Sequence, residues 1–185
     1  MNKYFSSRRL KVLWLFLGLF LLCGLAFLGG RQQSKAKKAT PSPSLAAALV
    51  KKEIGRELSL ELKNIKNKEK TKLTYSIESA ELTEEILVKG ERLRALSHKA
   101  FLIFNLKIVN SGQQGIQINS RDFVRLSLAG KEEWLAPEIH NDPVTVQAIS
   151  TKYTRLAFPV NRTEKQFKVR LGEISAEKIE FDLNL

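Results

Sequence analysis

Glu138-Ile-His140-Asn-Asp142 is the densest group of metal-ligand types in the chain, and in an extended segment its three donors would share one face. Pro143 follows at once and favours a loop, and imidazole mixed with carboxylates is common on surfaces, so no metal site is assigned. Ser97-His98, near Arg92, Arg94 and Lys99, sets a nucleophile type beside a base type. Adjacent residues of a strand point apart, and such a pair needs a third group to orient the base. A solvated basic loop accounts for these residues, and no catalytic residue is assigned. Lys152, Tyr153 and Arg155, with Arg162, Lys165, Lys168 and Arg170, offer cations and a ring to a polyanion. Within one strand Lys168 and Arg170 lie opposite Phe167 and Val169. Lys152, Arg155, Lys168 and Arg170 are therefore the candidate polyanion-binding face, diluted by Glu164; a solvated outer face explains them equally well. There is no glycine-rich phosphate loop and no paired-carboxylate constellation. The expectation is a chain that is not an enzyme and takes no cofactor.

The elements that must position these residues begin with the charge distribution. The 185 residues hold 31 Lys and Arg against 19 Asp and Glu, a formal charge of +12. Ten of the basic residues and none of the acidic ones lie in residues 1–52, so the remainder carries only +2. A duplex-binding domain concentrates its cations on the folded unit, because phosphate neutralisation supplies most non-specific affinity. Nucleic acid is therefore not an expected partner. One Cys excludes an intramolecular disulfide, and two His leave little material for a His/Cys-rich metal site.

Residues 12–30 form an apolar run of nineteen without a charge, bounded by Lys11 and Arg31. As a helix it nearly matches a hydrocarbon core of about 30 Å, and Trp14 suits an interfacial anchor. A cleaved signal has a shorter apolar stretch and a small-x-small site, whereas Ala26-Phe-Leu28 is a poor one. A lipoprotein signal needs small residues before its Cys, but Phe20-Leu21-Leu22 precede Cys23. An uncleaved signal anchor is the remaining reading. The basic flanks are matched, four residues on each side; exporting a charged tail of eleven residues has no driving signal, whereas long domains translocate largely regardless of charge. The expected order is a cytoplasmic basic tail (1–11), a single transmembrane span (12–30) and an extracytoplasmic remainder on the cell membrane. Arg31 to Lys38 would then stand near lipid headgroups or wall polymers.

Residues 31–55 read as a polar stalk with two prolines, followed by a short helix over Leu45–Ile54 that Ser44 caps and Gly55 ends. From residue 56 the apolar period becomes two. Leu58, Leu60 and Leu62 alternate with polar residues, as do Leu73, Tyr75 and Ile77, and Leu102, Phe104, Leu106 and Ile108 face away from Asn105 and Lys107. Further strands are expected around 116–118, 124–128, 144–148, 151–160, 165–171 and 178–185. Pro159 argues for an edge or a bulge. Many short strands at even spacing indicate an antiparallel β-sandwich over residues 56–185.

Phe101-Leu-Ile-Phe-Asn-Leu-Lys-Ile-Val-Asn-Ser-Gly112, with the Gly130-Lys131-Glu132 turn and Leu156-Ala-Phe-Pro-Val160, resembles the bacterial telokin-like, immunoglobulin-like extracellular domains of unknown function. The similarity covers roughly residues 71–185 and departs at Ala148-Ile-Ser-Thr151, where that family often has a Pro-Gly turn. The resemblance implies an all-β, immunoglobulin-like sandwich in a bacterial envelope, behind a single transmembrane helix. In that setting Asn161-Arg-Thr163 is an incidental match to a glycosylation acceptor. The expected function is a non-catalytic, membrane-anchored binding module that meets another envelope protein through an edge strand or loop. Two alternatives are a binder of anionic wall polymer and an assembly subunit of a membrane complex, the latter held partly through the small-xxx-small pair Ala26 and Gly30.

Overall fold

The computed structural model describes residues 47–63, 70–174 and 177–185. The tail, the apolar run 12–30 and the stalk before Ala47 lie outside these residues, and among the described residues no helix is long and apolar enough to cross a membrane. The described chain is all-β. Its strands are β1 (Val50–Lys63), β2 (Lys70–Thr83), β3 (Glu85–Val88), β4 (Glu91–Arg94), β5 (Lys99–Asn110), β6 (Ile116–Ile118), β7 (Val124–Leu128), β8 (Ile139–His140), β9 (Val144–Val146), β10 (Ser150–Asn161), β11 (Gln166–Leu171) and β12 (Ile179–Asn184). A single 3-10 turn, Ser120–Phe123, precedes β7.

One sheet has the order β1-β2-β5-β10-β8 and a second has the order β12-β11-β7, every pairing antiparallel. Their facing sides share one apolar cluster, a sandwich-like arrangement. Period two decides the membership: Leu102, Phe104, Leu106 and Ile108 of β5, Leu156, Phe158 and Val160 of β10, and Phe167, Val169 and Leu171 of β11 all enter it. Phe104 and Phe158, directly paired across β5 and β10, meet edge to face at 5.7 Å between centroids.

The outer face of the larger sheet is covered as well. β3 and β4 form a hairpin through Lys89-Gly90, both at positive φ. Ile86 of this hairpin packs with Phe101, Ile103 and Ala157, a second apolar cluster on the far side of β5 and β10. That explains why Ala100 to Phe104 are buried on both faces, whereas Asn105 and Lys107, beyond the hairpin, are only partly buried.

Two expectations change, and for Pro159 the edge rather than the bulge is found. Val50–Ile54, read as the second half of a helix, are strand: Val50 to Glu53 pair with Leu82 to Ser79, and Val50 and Ile54 pack on the core. Ten residues make a marginal helix, and sheet pairing overrides their propensity. Gly55 does not end a helix but sits at φ +63 in the register shift between Glu53 and Arg56, where the left-handed conformation admits the extra residue of a bulge. Pro159 causes no bulge, because β10 keeps an unbroken register with β5. Ala157 directs its carbonyl to Glu138 on the β8 side, so Pro159, two residues on, directs its missing N–H to the same side. β8 pairs only with Leu156 and Ala157, leaving that edge open.

Tyr75 ties β2 to the 3-10 turn. Its ring is fully buried against Phe123, at 5.3 Å, and its hydroxyl donates to the Ser120 carbonyl at 3.0 Å. Burial raises its pKa well above the ordinary tyrosine value, and the nearby Asp142 carboxylate adds to the rise. The folded state therefore keeps a proton that the unfolded chain gives up above about pH 10, so this contribution is complete below that pH and fades above it. Tyr75→Phe should cost about 1 kcal/mol at pH 8 through the lost hydrogen bond. Above pH 10, denaturant melts of the variant should lose stability more slowly than the parent, by up to about 1.4 kcal/mol per pH unit. Parallel slopes for the two proteins would contradict the burial argument.

Candidate functional site

At the far end of β5 the chain turns on Asn110, whose side chain is fully buried. Its amide nitrogen donates to the carbonyls of Gln114 at 2.8 Å, Gln147 at 2.9 Å and Val146 at 3.3 Å, and its Oδ1 accepts from Gly112 N at 2.9 Å. Three carbonyl acceptors on one side and an N–H on the other fix which end of the amide is which. Gly112 is required by space: a Cβ there would stand 2.6 Å from the Thr71 methyl. Its carbonyl accepts from Ile149 N at 3.1 Å, and Ser150 Oγ donates to the Gln147 carbonyl at 2.7 Å. The turn Gln147–Ser150 between β9 and β10 is thus clamped from below by the Asn110-Ser-Gly112 segment.

What the clamp holds up is Ile149, at φ +48 and 69% exposed. A left-handed backbone costs an L-residue about 1–2 kcal/mol, and a β-branched side chain is among the least suited to it. Exposure gives that side chain no burial to offset the strain. Ile149 thus adds strain to the turn and presents an apolar group to solvent. Tyr153, 64% exposed, follows on the outward side of β10. Ile149 and Tyr153 form the candidate contact site. The sequence marks the turn at 110–115 but not the burial of Asn110 or the strain at Ile149; the absence of glycine from Ala148-Ile-Ser-Thr151 was the readable trace.

The expected candidates fall elsewhere. Lys152 and Arg155 lie on opposite sides of β10, Lys152 on the side of Leu156 and Phe158, and Arg155 donating to the Leu87 carbonyl of the hairpin at 2.6 Å. Lys168 and Arg170 do share the outward side of β11, but in the other sheet. Arg170 is held by Glu180 at 2.8 and 2.7 Å and stacks over Trp134 at 3.8 Å. The four cations are not brought to one face, because alternation divides the first two and sheet membership divides the pairs. Arg162 pairs with Glu84 at 2.8 Å. Ser97 and His98 are adjacent exposed residues of a turn closed by Lys99 N to the Leu96 carbonyl at 2.8 Å.

Glu138 stays exposed, while His140 and Asp142 are drawn together, Nδ1 to Oδ2 at 3.4 Å. The Asp142 carboxylate is 3% exposed and accepts from Ser120 N and Oγ, both at 2.6 Å, and from Arg121 N at 2.9 Å. Its lone pairs hold the start of the 3-10 turn. Arg121 also stands 3.2 Å from His140 Nε2. Among the described residues no group of three His, Cys, Asp or Glu stands where it could hold a metal.

Replacing the amide of Asn110 by a carboxylate of the same shape would turn oxygen toward three carbonyls in a fully buried site. Asn110→Asp should destabilise the fold by about 3 kcal/mol or more in denaturant melts at pH 7. A loss below about 1 kcal/mol would show that the clamp matters little.

No protein-family model matches the chain, and no curated protein matches it. Among solved structures it is similar to an uncharacterised β-sandwich protein of Clostridium difficile 630, at 12% identity and TM-score 0.44 over 66% of this chain and 89% of that one. It is similar too to a conserved hypothetical protein of Bacillus anthracis, at 8% identity and TM-score 0.42 over 71% of this chain and 97% of that one. A third likeness is to a candidate lipoprotein (ycdA) of Bacillus subtilis, at 15% identity and TM-score 0.38; it covers 60% of this chain but 36% of that one. No role is carried from these structures to this chain.

Proposed function

We propose that the chain is a membrane-anchored, extracytoplasmic immunoglobulin-like module that works by protein–protein contact in the cell envelope, without catalysis. The observation that carries this reading is Ile149: an exposed, strained apolar side chain on a turn that a buried amide holds rigid. Strain that persists on a rigid platform marks a site where the conformation serves a purpose. A preorganised apolar tip loses little freedom on meeting a partner, which favours recognition. The anchor is supported by the apolar run 12–30 and its basic flanks.

Contact through a loop is preferred to contact through the β1 edge. Arg56 reaches over the Phe181 ring at 5.5 Å and Lys52 Nζ donates to the Asn184 carbonyl at 2.8 Å, so two cations from β1 reach across to β12. With the bulge at Gly55, they blunt an edge that would otherwise accept a strand. A polyanion reading has less support, since the expected cations are dispersed over two sheets.

The test uses residues 45–185 as bait for solubilised envelope proteins, beside the same fragment carrying Ile149→Gly. The variant should be more stable by about 1 kcal/mol, as glycine relieves the strain, and should capture the partner about tenfold less well, as one buried isoleucine is lost. Equal capture by both baits would remove Ile149 from the interface. Recovery of partners only with the full chain would favour the assembly-subunit alternative, and full protection of residues 45–185 from protease added to intact cells would overturn the topology.

A further inference from the structure

The opposite end of β10 carries a different surface. Arg92-Leu-Arg-Ala-Leu-Ser-His-Lys99 holds three permanent cations, an imidazole and no acid. It comprises the end of β4, a strand exposed at all four residues, and the turn into β5. Leu93 is 45% exposed and Leu96 is 71% exposed. Arg92 reaches Glu85 at 3.5 Å and Arg94 reaches Glu84 at 3.9 Å; the second pair, with Arg94 72% exposed, is a loose surface pair of the kind readily exchanged for another anion.

The chain enters the sandwich at this same end. Leu49 N donates to the Leu82 carbonyl at 2.7 Å and Ala95 N to the Glu84 carbonyl at 2.8 Å, so the entry and the turn flank the last residues of β2. Leu49 is itself 44% exposed. Sixteen residues, 31–46, lie between the apolar run and the described chain. Sixteen residues reach at most about 58 Å even when fully extended, which keeps the two ends of that segment at high mutual concentration.

We propose that the segment Arg92–Lys99 rests on the headgroup layer of an anionic bilayer, with Leu93 and Leu96 entering the interface and Arg92, Arg94 and Lys99 meeting lipid phosphates. The proposal rests on the reading that residues 12–30 hold the chain in that bilayer. Leucine interleaved with arginine is the chemistry of an interface that is apolar below and anionic above. A soluble polyanion would use the cations and leave the leucines in water. The arrangement directs Ile149 away from the membrane, since Lys99 pairs with Asn161 at the other end of the twelve-residue β10. At about 3.3 Å per residue the two ends stand roughly 35–40 Å apart.

The experiment uses the full chain with Cys23→Ser and a single environment-sensitive fluorophore at Ser97→Cys or, as a control, at Ser111→Cys. Each is reconstituted into liposomes of phosphatidylglycerol and phosphatidylcholine that contain a lipid-borne quencher. Quenching at residue 97 should exceed that at 111 at least about threefold, and should weaken in pure phosphatidylcholine. In the pair Leu93→Ser and Leu96→Ser it should fall to the level at 111 while a cooperative melt shows the fold retained, and Leu96→Ser alone, at a residue 71% exposed, should lower it with the melting temperature unchanged. Equal quenching at both positions in a chain that stays with the liposomes would overturn the proposal alone, as would undiminished quenching in the double variant. Displacement by soluble polyphosphate that leaves quenching independent of lipid charge would assign the segment to a polyanion instead. Release of the chain by alkaline carbonate would overturn the anchoring reading, and this proposal with it.

Discussion

One buried amide governs the shape of the loop end. Asn110 has no access to water, and its nitrogen must find acceptors or leave a polar group stranded in the core. The acceptors are main-chain carbonyls from two different connections, at Gln114 and at Val146 and Gln147. The amide therefore sets the distance between the turn that leaves β5 and the turn that enters β10. Gly112 follows from the same constraint, since the chain passes too near Thr71 for any side chain. The register of β5 with β10 is thus fixed by a polar group as well as by apolar alternation.

A second polar knot lies under the 3-10 turn. Asp142 takes the first N–H groups of that turn, and Tyr75 takes a carbonyl of the same turn through its hydroxyl. Donors and acceptors are both matched, so a loop can cross the end of the sandwich without exposing its backbone to an apolar environment. The two knots divide the labour: one positions the exposed turn, and the other seals the core beneath its neighbour.

Much of the sheet was legible because alternation leaves a visible trace in Leu102 to Ile108 or Phe167 to Leu171. The β1 residues Val50–Ile54 were misread because Leu45-Ala-Ala-Ala-Leu is good helix material, and only pairing with β2 decides otherwise. The β3–β4 hairpin leaves little trace, each arm being four residues long and only Ile86 fully buried. On β11 the shared side of Lys168 and Arg170 was readable, since it depends on parity alone. That β10 and β11 belong to different sheets was not, because sheet membership is a property of long-range pairing. The role of Asn110 was hidden for a related reason: Asn-Ser-Gly spells a turn in any context, and its partners lie 36 and 37 residues away.

The blunted β1 edge has an evolutionary consequence. A partner that added a strand to the sheet would bind mainly through backbone groups, which substitution cannot readily alter. With Lys52 and Arg56 reaching from that edge to β12, recognition under the proposed function would pass to side chains at the tips of turns. If residue 149 is the contact, as proposed, it can vary while Asn110 and Gly112 stay fixed, so that a lineage could change what the module meets without changing how it folds. Retargeting becomes a matter of single codons on a constant frame.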